Sequence, residues 1–197
     1  MIDKYGTTQD PYTYDNSTVL VNKLNITDEV VLEAAERDLT TLAAMYIEFQ
    51  LPPYDFAYLC SIHRLLFVDL FTWAGEQRTI DISKGNTRFC NISRIEKKAN
   101  NLFLMLEKDK YLVGLPRDEF LTKLAEYYCD INVLHPFREG NGRAQRLLFE
   151  HIAINCGYNI NFSGITSEQW VTANIQGYHC NYTPMKELLS VCVVEAK

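Results

Sequence analysis

The stretch that decides the fold is His135-Pro-Phe-Arg-Glu-Gly-Asn-Gly-Arg-Ala-Gln-Arg146. Pro136 disfavours helical geometry at the residue before it, and Gly140 and Gly142 allow the backbone to turn tightly. Apolar residues recur at helical spacing on both sides, at Phe120, Leu121, Leu124, Ala125, Tyr128 and Ile131 before the stretch and at Leu147, Leu148, Ile152 and Ala153 after it. The pattern predicts two helices joined by a turn, with the unpaired N–H groups at the start of the second helix directed into that turn. Such a helix start binds anionic oxygens, for example those of a polyphosphate.

The side chains of the turn suit the transfer of part of a nucleotide. His135 is the only one that titrates near neutral pH, so it is the candidate general base for an attacking hydroxyl. Glu139 offers hard oxygen to Mg²⁺, which proteins bind through one or two carboxylates together with substrate phosphates. Asn141 and the N–H groups of residues 140–143 can hold phosphate oxygens where charge develops.

Two arginines, Arg143 and Arg146, stand three residues apart on the first turn of the second helix and can bind phosphates in a bidentate manner. Each feature also has an ordinary explanation: a His before a Pro ends a helix, a Gly-Asn-Gly makes a turn, and paired arginines form a solvated face. The combination at fixed spacing favours a nucleotide site.

The stretch resembles the signature of the Fic family, HPFx(D/E)GNGRxxR, and matches every fixed position. The segment from Ile62 to Gly75, followed by Arg78 and Lys84-Gly85, resembles the helix and flap of that family. Asp10-Pro-Tyr-Thr-Tyr14 and Asn22-Lys-Leu24 resemble the start of its short bacterial members. The similarity therefore extends over nearly all 197 residues.

The resemblance implies a protein adenylyltransferase, which transfers AMP from ATP to a Ser, Thr or Tyr hydroxyl of another protein and releases pyrophosphate. By matching position, His135 would deprotonate the hydroxyl and Glu139 would hold the Mg²⁺ that bridges the α- and β-phosphates of the co-substrate ATP. Asn141 and Gly142 would line the anion hole. Arg143 and Arg146 would bind the outer phosphates.

A β-hairpin that we call the flap, residues 78–92, is the second element that the resemblance implies. Residues 79–82 form a strand-like run and residues 89–92 can return along it. An exposed edge strand there could bind an extended target segment through main-chain hydrogen bonds, although an ordinary surface hairpin fits the local sequence as well. The candidate nucleotide-binding residues outside the motif are Lys84, Gly85, Asn86 and Thr87 in the flap, and Asn174.

The bulk composition narrows the function classes. The net charge of −6 argues against general affinity for nucleic acid or an acidic membrane. No signal peptide and no membrane span is visible, which predicts a cytoplasmic protein. The six cysteines are scattered without a Cys-x-x-Cys pair, so we interpret them as reduced and no zinc site is expected.

The predicted fold class is all-α: a single Fic-type helical domain with a small β-hairpin flap. Residues 1–25 are predicted to form an N-terminal arm, and residues 26–197 the helical domain with the flap at about 78–92 and the motif loop at 135–146. Ser93 and Glu96 indicate a capping box. The expected helices lie at about 27–50, 55–72, 93–108 and 116–133, then in the motif helix, and at about 166–176 and 183–195, with an extended connection at 158–162.

Inhibition by a separate protein is predicted, because the sequence has no complete match to the inhibitory helix of the family. Fic activity is commonly blocked by a helix with the pattern (S/T)xxxE(G/N), whose Glu pairs with the second motif arginine, here Arg146. Thr122 to Glu126 and Thr183 to Glu187 have the spacing, but neither matches fully. The resemblance therefore implies a separate small helical antitoxin that supplies the inhibitory Glu, and a toxin whose target is DNA gyrase or topoisomerase IV. The alternatives are transfer of a phosphate, UMP or phosphocholine, a host-directed effector, and a binding module without turnover.

Overall fold

The computed structural model describes residues 10–85 and 87–196 and confirms the all-α prediction. In that part of the chain, 57% is helical and there are seven α-helices and two antiparallel strand pairs. The helices are α1 Glu29–Ala44, α2 Phe56–Phe67, α3 Ile95–Lys108, α4 Arg117–Leu134, α5 Asn141–Asn155, α6 Ser167–Tyr178 and α7 Thr183–Cys192. The strands are β1 Ser83–Lys84, β2 Thr87–Arg88, β3 Tyr158–Ile160 and β4 Val193–Glu195.

Helix α4 forms the centre of the molecule. It packs against α3, α5, α6 and α7, and α5 also packs against α2, which in turn contacts α1. Phe120, Leu124 and Ala125 on α4, and Leu148 and Ile152 on α5, are fully buried. The turn that carries the motif connects α4 to α5. Because both helices are deeply buried, the two ends of this turn are fixed in position.

The start of α3 differs from the prediction, and the capping box at Ser93 and Glu96 was wrong. Asn91 accepts a hydrogen bond from the Ser93 N–H (3.1 Å) and opens a short 3-10 helix, Ile92–Arg94, that leads into α3. The α3 N-cap is Arg94, which makes no side-chain capping bond. An Asn side chain competes well for the first N–H groups of a turn, so capping begins two residues earlier than the Ser-Glu spacing suggests.

The end of the chain also differs from the prediction. The last helix was expected to reach residue 195, yet it ends at Cys192 and Val193–Glu195 pairs antiparallel with Tyr158–Ile160. The register places Ile160 opposite Val193. Two consecutive β-branched valines favour a strand once a partner is present, and that partner comes from a distant segment.

The described part of the N-terminal arm, residues 10–25, folds back on itself through an antiparallel bridge between Thr13 and Leu20. Asp10 contacts the motif, where its carboxylate accepts hydrogen bonds from Arg138 Nε (2.6 Å) and Nη2 (2.5 Å). Residues 1–9 of the predicted arm lie outside the described residues, and the boundary at residue 25 stays a prediction. Among the helices of residues 10–85 and 87–196, none is long and apolar enough to cross a membrane.

Candidate active site

His135 caps the C-terminal end of α4 in a left-handed conformation, with φ 43° and ψ 60°. Its ring stacks on Phe89 of the flap, with 3.7 Å between the centroids and 14° between the planes. Its Nδ1 lies 3.3 Å from the carbonyl oxygen of Asn132. Since a carbonyl oxygen only accepts, Nδ1 carries the proton of the neutral ring and Nε2 carries the lone pair.

Burial lowers the pKa of His135 from its usual value near 6.5 to about 3. The neighbouring Arg78 and Lys84 lower this pKa further, whereas the hydrogen bond to Asn132 and the charge of Glu139 oppose the shift. The imidazole is therefore neutral at physiological pH, which is the state that a general base requires.

A cavity of about 390 Å³ opens in front of His135, between the flap, the ends of α4 and α5, and α6. It brings together most of the residues that the sequence singled out, which are Lys84, Gly85, Thr87, His135, Glu139, Asn141, Gly142, Arg146 and Asn174. Tyr128, Trp170, Val171 and Ile175 add apolar wall. Asn86 lies outside the described residues, and Gly140 and Arg143 are not part of this lining.

Gly140 and Asn141 shape the turn at the start of α5. Gly140 has φ +77°, and a Cβ there would lie 2.2 Å from the ring of Phe67. The Asn141 side chain accepts from the Phe137 N–H and donates to the Phe137 carbonyl, at 2.8 Å each. The amide group of Asn141 thus closes the turn, and its predicted contact with phosphate stays a prediction.

Arg143 points away from the cavity toward α1. It binds the carboxylate of Glu36, donates to Thr40 Oγ1 (3.2 Å) and lies over the Phe67 ring at 4.8 Å. Its Nη2 is also 3.8 Å from a carboxylate oxygen of Glu139. A second cleft of about 340 Å³ lies here, and Glu139 lines both cavities.

The two arginines that the sequence assigned to one phosphate site therefore lie on different walls. The sequence could not reveal this, because Glu36 is separated from Arg143 by 107 positions. The predicted contact of Arg143 with the outer phosphates stays a prediction.

Arg146 lines the main cavity beside Trp170 and Val171. Over the described ranges, Arg146 makes no ion pair within 4.0 Å. Of the glutamates in the two incomplete inhibitory patterns, Glu126 binds Lys123 Nζ at 2.9 Å and Glu187 is not paired with Arg146. Neither incomplete inhibitory pattern in the sequence thus supplies a carboxylate to this guanidinium.

Asn174 presents a buried acceptor to the same cavity. Its Nδ2 donates to the Trp170 carbonyl (2.8 Å), and its Oδ1 has no hydrogen-bond partner among the residues that the structure describes. An unpaired buried acceptor is costly, so a ligand with an N–H or O–H group at this position would be bound favourably. The contact with nucleotide predicted for Asn174 stays a prediction.

His63 lies outside the cavity lining, but it is bonded directly to the motif. Its Nδ1 accepts from the Gly75 N–H (2.9 Å), so the proton lies on Nε2, which donates to the Glu139 carbonyl at 2.9 Å. The ring stacks on Phe137 with 3.8 Å between the centroids. Burial lowers the pKa of His63 to about 4, which keeps it neutral. His63 thus joins α2 to the peptide that carries Glu139.

The flap lies against the cavity and is held from several sides. Its strands pair with Ser83 opposite Arg88, and the carboxylate of Asp81 accepts from the Ile92 N–H (2.9 Å) at the base of the hairpin. From α6, the Tyr178 hydroxyl donates to the Arg88 carbonyl at 3.2 Å. Most of these hydrogen bonds join a side chain to a backbone group, and no sequence motif records which backbone group is bound.

A helical domain with this flap, and a motif that gathers His135, Glu139 and Arg146 around one cavity, define a Fic domain. The chain belongs to the Fic/DOC family, whose model matches residues 53–153, and the predicted family is confirmed. It is 44% identical to the probable protein adenylyltransferase Fic of Escherichia coli K12, over all of this chain and 98% of that protein. It is 34% identical to the protein adenylyltransferase VbhT of Bartonella schoenbuchensis, over 94% of this chain and 39% of that protein.

Solved structures agree with this assignment. The effector BepC of Bartonella tribocorum, determined with bound AMPPNP, superposes with a TM-score of 0.87 at 30% identity, covering 94% of this chain and 97% of that one. The Fic domain of an effector from Bartonella quintana, determined with bound ADP, gives a TM-score of 0.86 at 33% identity, covering 94% and 95% of the two chains.

Proposed function

We propose that this chain transfers AMP from ATP to a hydroxyl side chain of a target protein. The observation that carries the proposal is the cavity of about 390 Å³ in which a neutral His135, the Glu139 carboxylate and the Arg146 guanidinium face one space at the start of α5. The predicted enzyme class is confirmed by relatives named protein adenylyltransferases at 34–44% identity. The structure of the related effector BepC with bound AMPPNP supports ATP as co-substrate.

The chemistry follows from the position of each group. Nε2 of His135 takes the proton of the target hydroxyl, whose oxygen forms a bond to the α-phosphorus while the bond to the pyrophosphate oxygen breaks. The N–H groups at the start of α5 and the Arg146 guanidinium stabilise the negative charge of the phosphates. The flap holds the target segment, and the acceptor of Asn174 binds a donor group of the nucleoside.

The site fits a Mg²⁺ ion that is coordinated by both the protein and the nucleotide. Over residues 10–85 and 87–196, no cluster of three or more His, Cys, Asp or Glu side chains could hold a metal alone. Glu139 is the acidic residue of the main cavity lining, and its side chain is 11% exposed. A single carboxylate with phosphate oxygens is an arrangement that Mg²⁺ adopts in nucleotide enzymes. The ion would neutralise phosphate charge during transfer.

The position of the label in ATP tests the reaction. With purified chain and target-containing lysate, AMP transfer places label from the α-phosphate on a protein and none from the γ-phosphate. Label from the γ-phosphate alone would replace the proposal with kinase chemistry. UMP transfer would instead require labelled UTP as donor.

An inhibitory partner is proposed for Arg146. Because this arginine makes no ion pair within 4.0 Å over residues 10–85 and 87–196 and faces the cavity, a separate small helical antitoxin that inserts a Glu would neutralise it and exclude ATP from the productive pose. The test is a complex purified from the native cell, in which that Glu is replaced by Gly. Recovery of AMP transfer with the complex intact supports the role, and an intact but inactive complex contradicts it.

The target proposed from the family resemblance is a type II topoisomerase, DNA gyrase or topoisomerase IV, in the cytoplasm of the producing cell. Purified gyrase and topoisomerase IV should each be incubated with the chain and ATP labelled at the α-phosphate. Label on either enzyme, with loss of its supercoiling or decatenation activity, supports the proposal. Label on another lysate protein and on neither topoisomerase would contradict it.

A further inference from the structure

Arg78 is a buried cation at the base of the flap, and only 1% of its surface is exposed. Its guanidinium donates to four backbone carbonyls: Nε to His135 (2.8 Å), Nη1 to Ile80 (2.6 Å), and Nη2 to Cys90 and, more weakly, to Leu134 (3.5 Å). Its own N–H donates to the Pro136 carbonyl at 2.8 Å. Asp81, at 3.7 Å, provides a nearby negative charge.

These bonds fall on the peptide groups that orient His135. Helix α4 ends at Leu134, where its last carbonyls lack intrahelical partners. Arg78 supplies donors to Leu134 and to His135, whose left-handed backbone is unusual for a residue with a Cβ. A strained backbone of this kind persists where the surrounding contacts determine it.

The same guanidinium also fixes the backbone next to Phe89, the second ring of the stack. Phe89, which stacks on His135, directly precedes Cys90, whose carbonyl Arg78 binds. Cys90 further donates its N–H to the Val133 carbonyl at 3.0 Å. One side chain therefore fixes the relative position of the two stacked rings through their backbones. A lysine could not do this, because its single nitrogen cannot reach carbonyls spread over a planar fork.

We propose that Arg78 is a positioning residue for the proposed AMP transfer, holding the His135 ring in the orientation in which Nε2 faces the cavity. The inference rests on the proposed function, since it gives His135 the role of base. Arg78 is not among the residues that line the cavity. Its hydrogen bonds act on the reaction through the backbone of His135 and of the flap.

The test compares Arg78→Lys and Arg78→Met with Arg117→Lys and Arg117→Met. Arg117 is a matched control, because it also donates to two carbonyls, of Ser190 and Val193, but at the far end of α4. Because a displacement of about 1 Å can cost about a hundredfold in rate, the Arg78 variants should lose about ten- to a hundredfold in kcat, and KM for ATP should change less than about threefold. The Arg117 variants should retain both values.

A double variant separates positioning from a general loss of structure. If Arg78 acts through His135, Arg78→Lys should cost less than about twofold in the His135→Ala background. An equal loss in both backgrounds, or a loss confined to KM, would overturn the inference. So would an Arg78→Lys variant with wild-type kcat.

A readout independent of turnover keeps this inference apart from the proposed function. In nitrogen NMR of labelled histidine rings, Arg78→Met should shift the His135 signals, and Arg117→Met should leave them unchanged. Wild-type protein without AMP transfer would refute the proposed function, and the NMR comparison would then decide on Arg78 alone. Unchanged His135 signals in a folded Arg78→Met variant would overturn the inference.

Discussion

His135 is suited to act as a base because burial and nearby cations keep its ring neutral. Its pKa is lowered to about 3, so the fraction of usable base does not fall as the pH passes through the ordinary histidine range. The sequence identified this residue, but its neutral state follows first from burial and then from the charges of Arg78 and Lys84, which the fold brings to it.

The lowered pKa of His135 predicts an unusual pH profile. A base with an ordinary pKa would halve kcat/KM near pH 6.5, whereas here kcat/KM should stay nearly constant from about pH 8 down to about pH 5.5. Circular dichroism at each pH verifies that the protein remains folded. An acid limb with its midpoint at about pH 6.5, seen in every buffer used, would contradict the lowered pKa of His135.

The two motif arginines should respond differently to substitution. Arg146→Ala removes a guanidinium from the cavity and should weaken ATP binding about ten- to a hundredfold at unchanged Tm, since hydrogen bonds to charged groups contribute about 1.5–3 kcal/mol. Arg143→Ala removes a cation beside the mostly buried carboxylates of Glu36 and Glu139, and should lower the free energy of unfolding by about 2 kcal/mol.

Calorimetric ATP titration and thermal unfolding of both variants measure the difference. Arg143→Ala with wild-type Tm and the same loss of ATP affinity as Arg146→Ala would place both guanidiniums on the phosphates, as the sequence alone suggested.

At the scale of elements, the close approach of α2 to the turn before α5 depends on Gly140. Gly140→Ala would put a Cβ 2.2 Å from the Phe67 ring at φ +77°, and should cost about 2–5 kcal/mol from overpacking and backbone strain. Gly85→Ala is the control, because Gly85 has φ +57° with no atom within 4 Å of the added Cβ. It should cost only the backbone term of about 1–2 kcal/mol.

Urea unfolding of the two alanine variants gives both free energies. Equal losses for Gly140→Ala and Gly85→Ala would mean that Phe67 moves aside easily, so that contact between α2 and the motif turn does not determine the geometry of the site.

The elements were largely predictable where apolar periodicity extends over several turns, as in α4 and α5. Their ends were less predictable, because they depend on partners remote in sequence. Val193 and Val194 join β3 instead of extending α7, and Asn91 caps the chain before the expected Ser93. The motif residues were recognisable because their chemistry is concentrated in twelve positions, whereas Arg78 and Glu36 act through tertiary contacts that no local pattern contains.

At the scale of the whole molecule, the N-terminal arm joins parts of the site that are distant in sequence. Asp10 binds the buried Arg138 of the motif, and Tyr12 accepts from the Thr79 N–H of the flap at 2.9 Å. Asp10→Ala leaves the Arg138 cation without this carboxylate and should lower the free energy of unfolding by about 3–5 kcal/mol.

The double variant Asp10→Ala/Arg138→Met should recover part of that loss, because it removes the uncompensated charge. Denaturant unfolding of the single and double variants measures the coupling. A loss of less than about 1 kcal/mol for Asp10→Ala would show that the arm contributes little to the stability of the motif.

The most direct measurement of the central claim is incubation of the purified chain with Mg²⁺, bacterial lysate and ATP labelled at the α-phosphate, beside its His135→Ala variant. Wild-type protein should label a target band, and His135→Ala should reduce the rate at least about a hundredfold with ATP affinity unchanged, because it removes the base and leaves the phosphate site. A band of equal intensity with both proteins would contradict AMP transfer through His135.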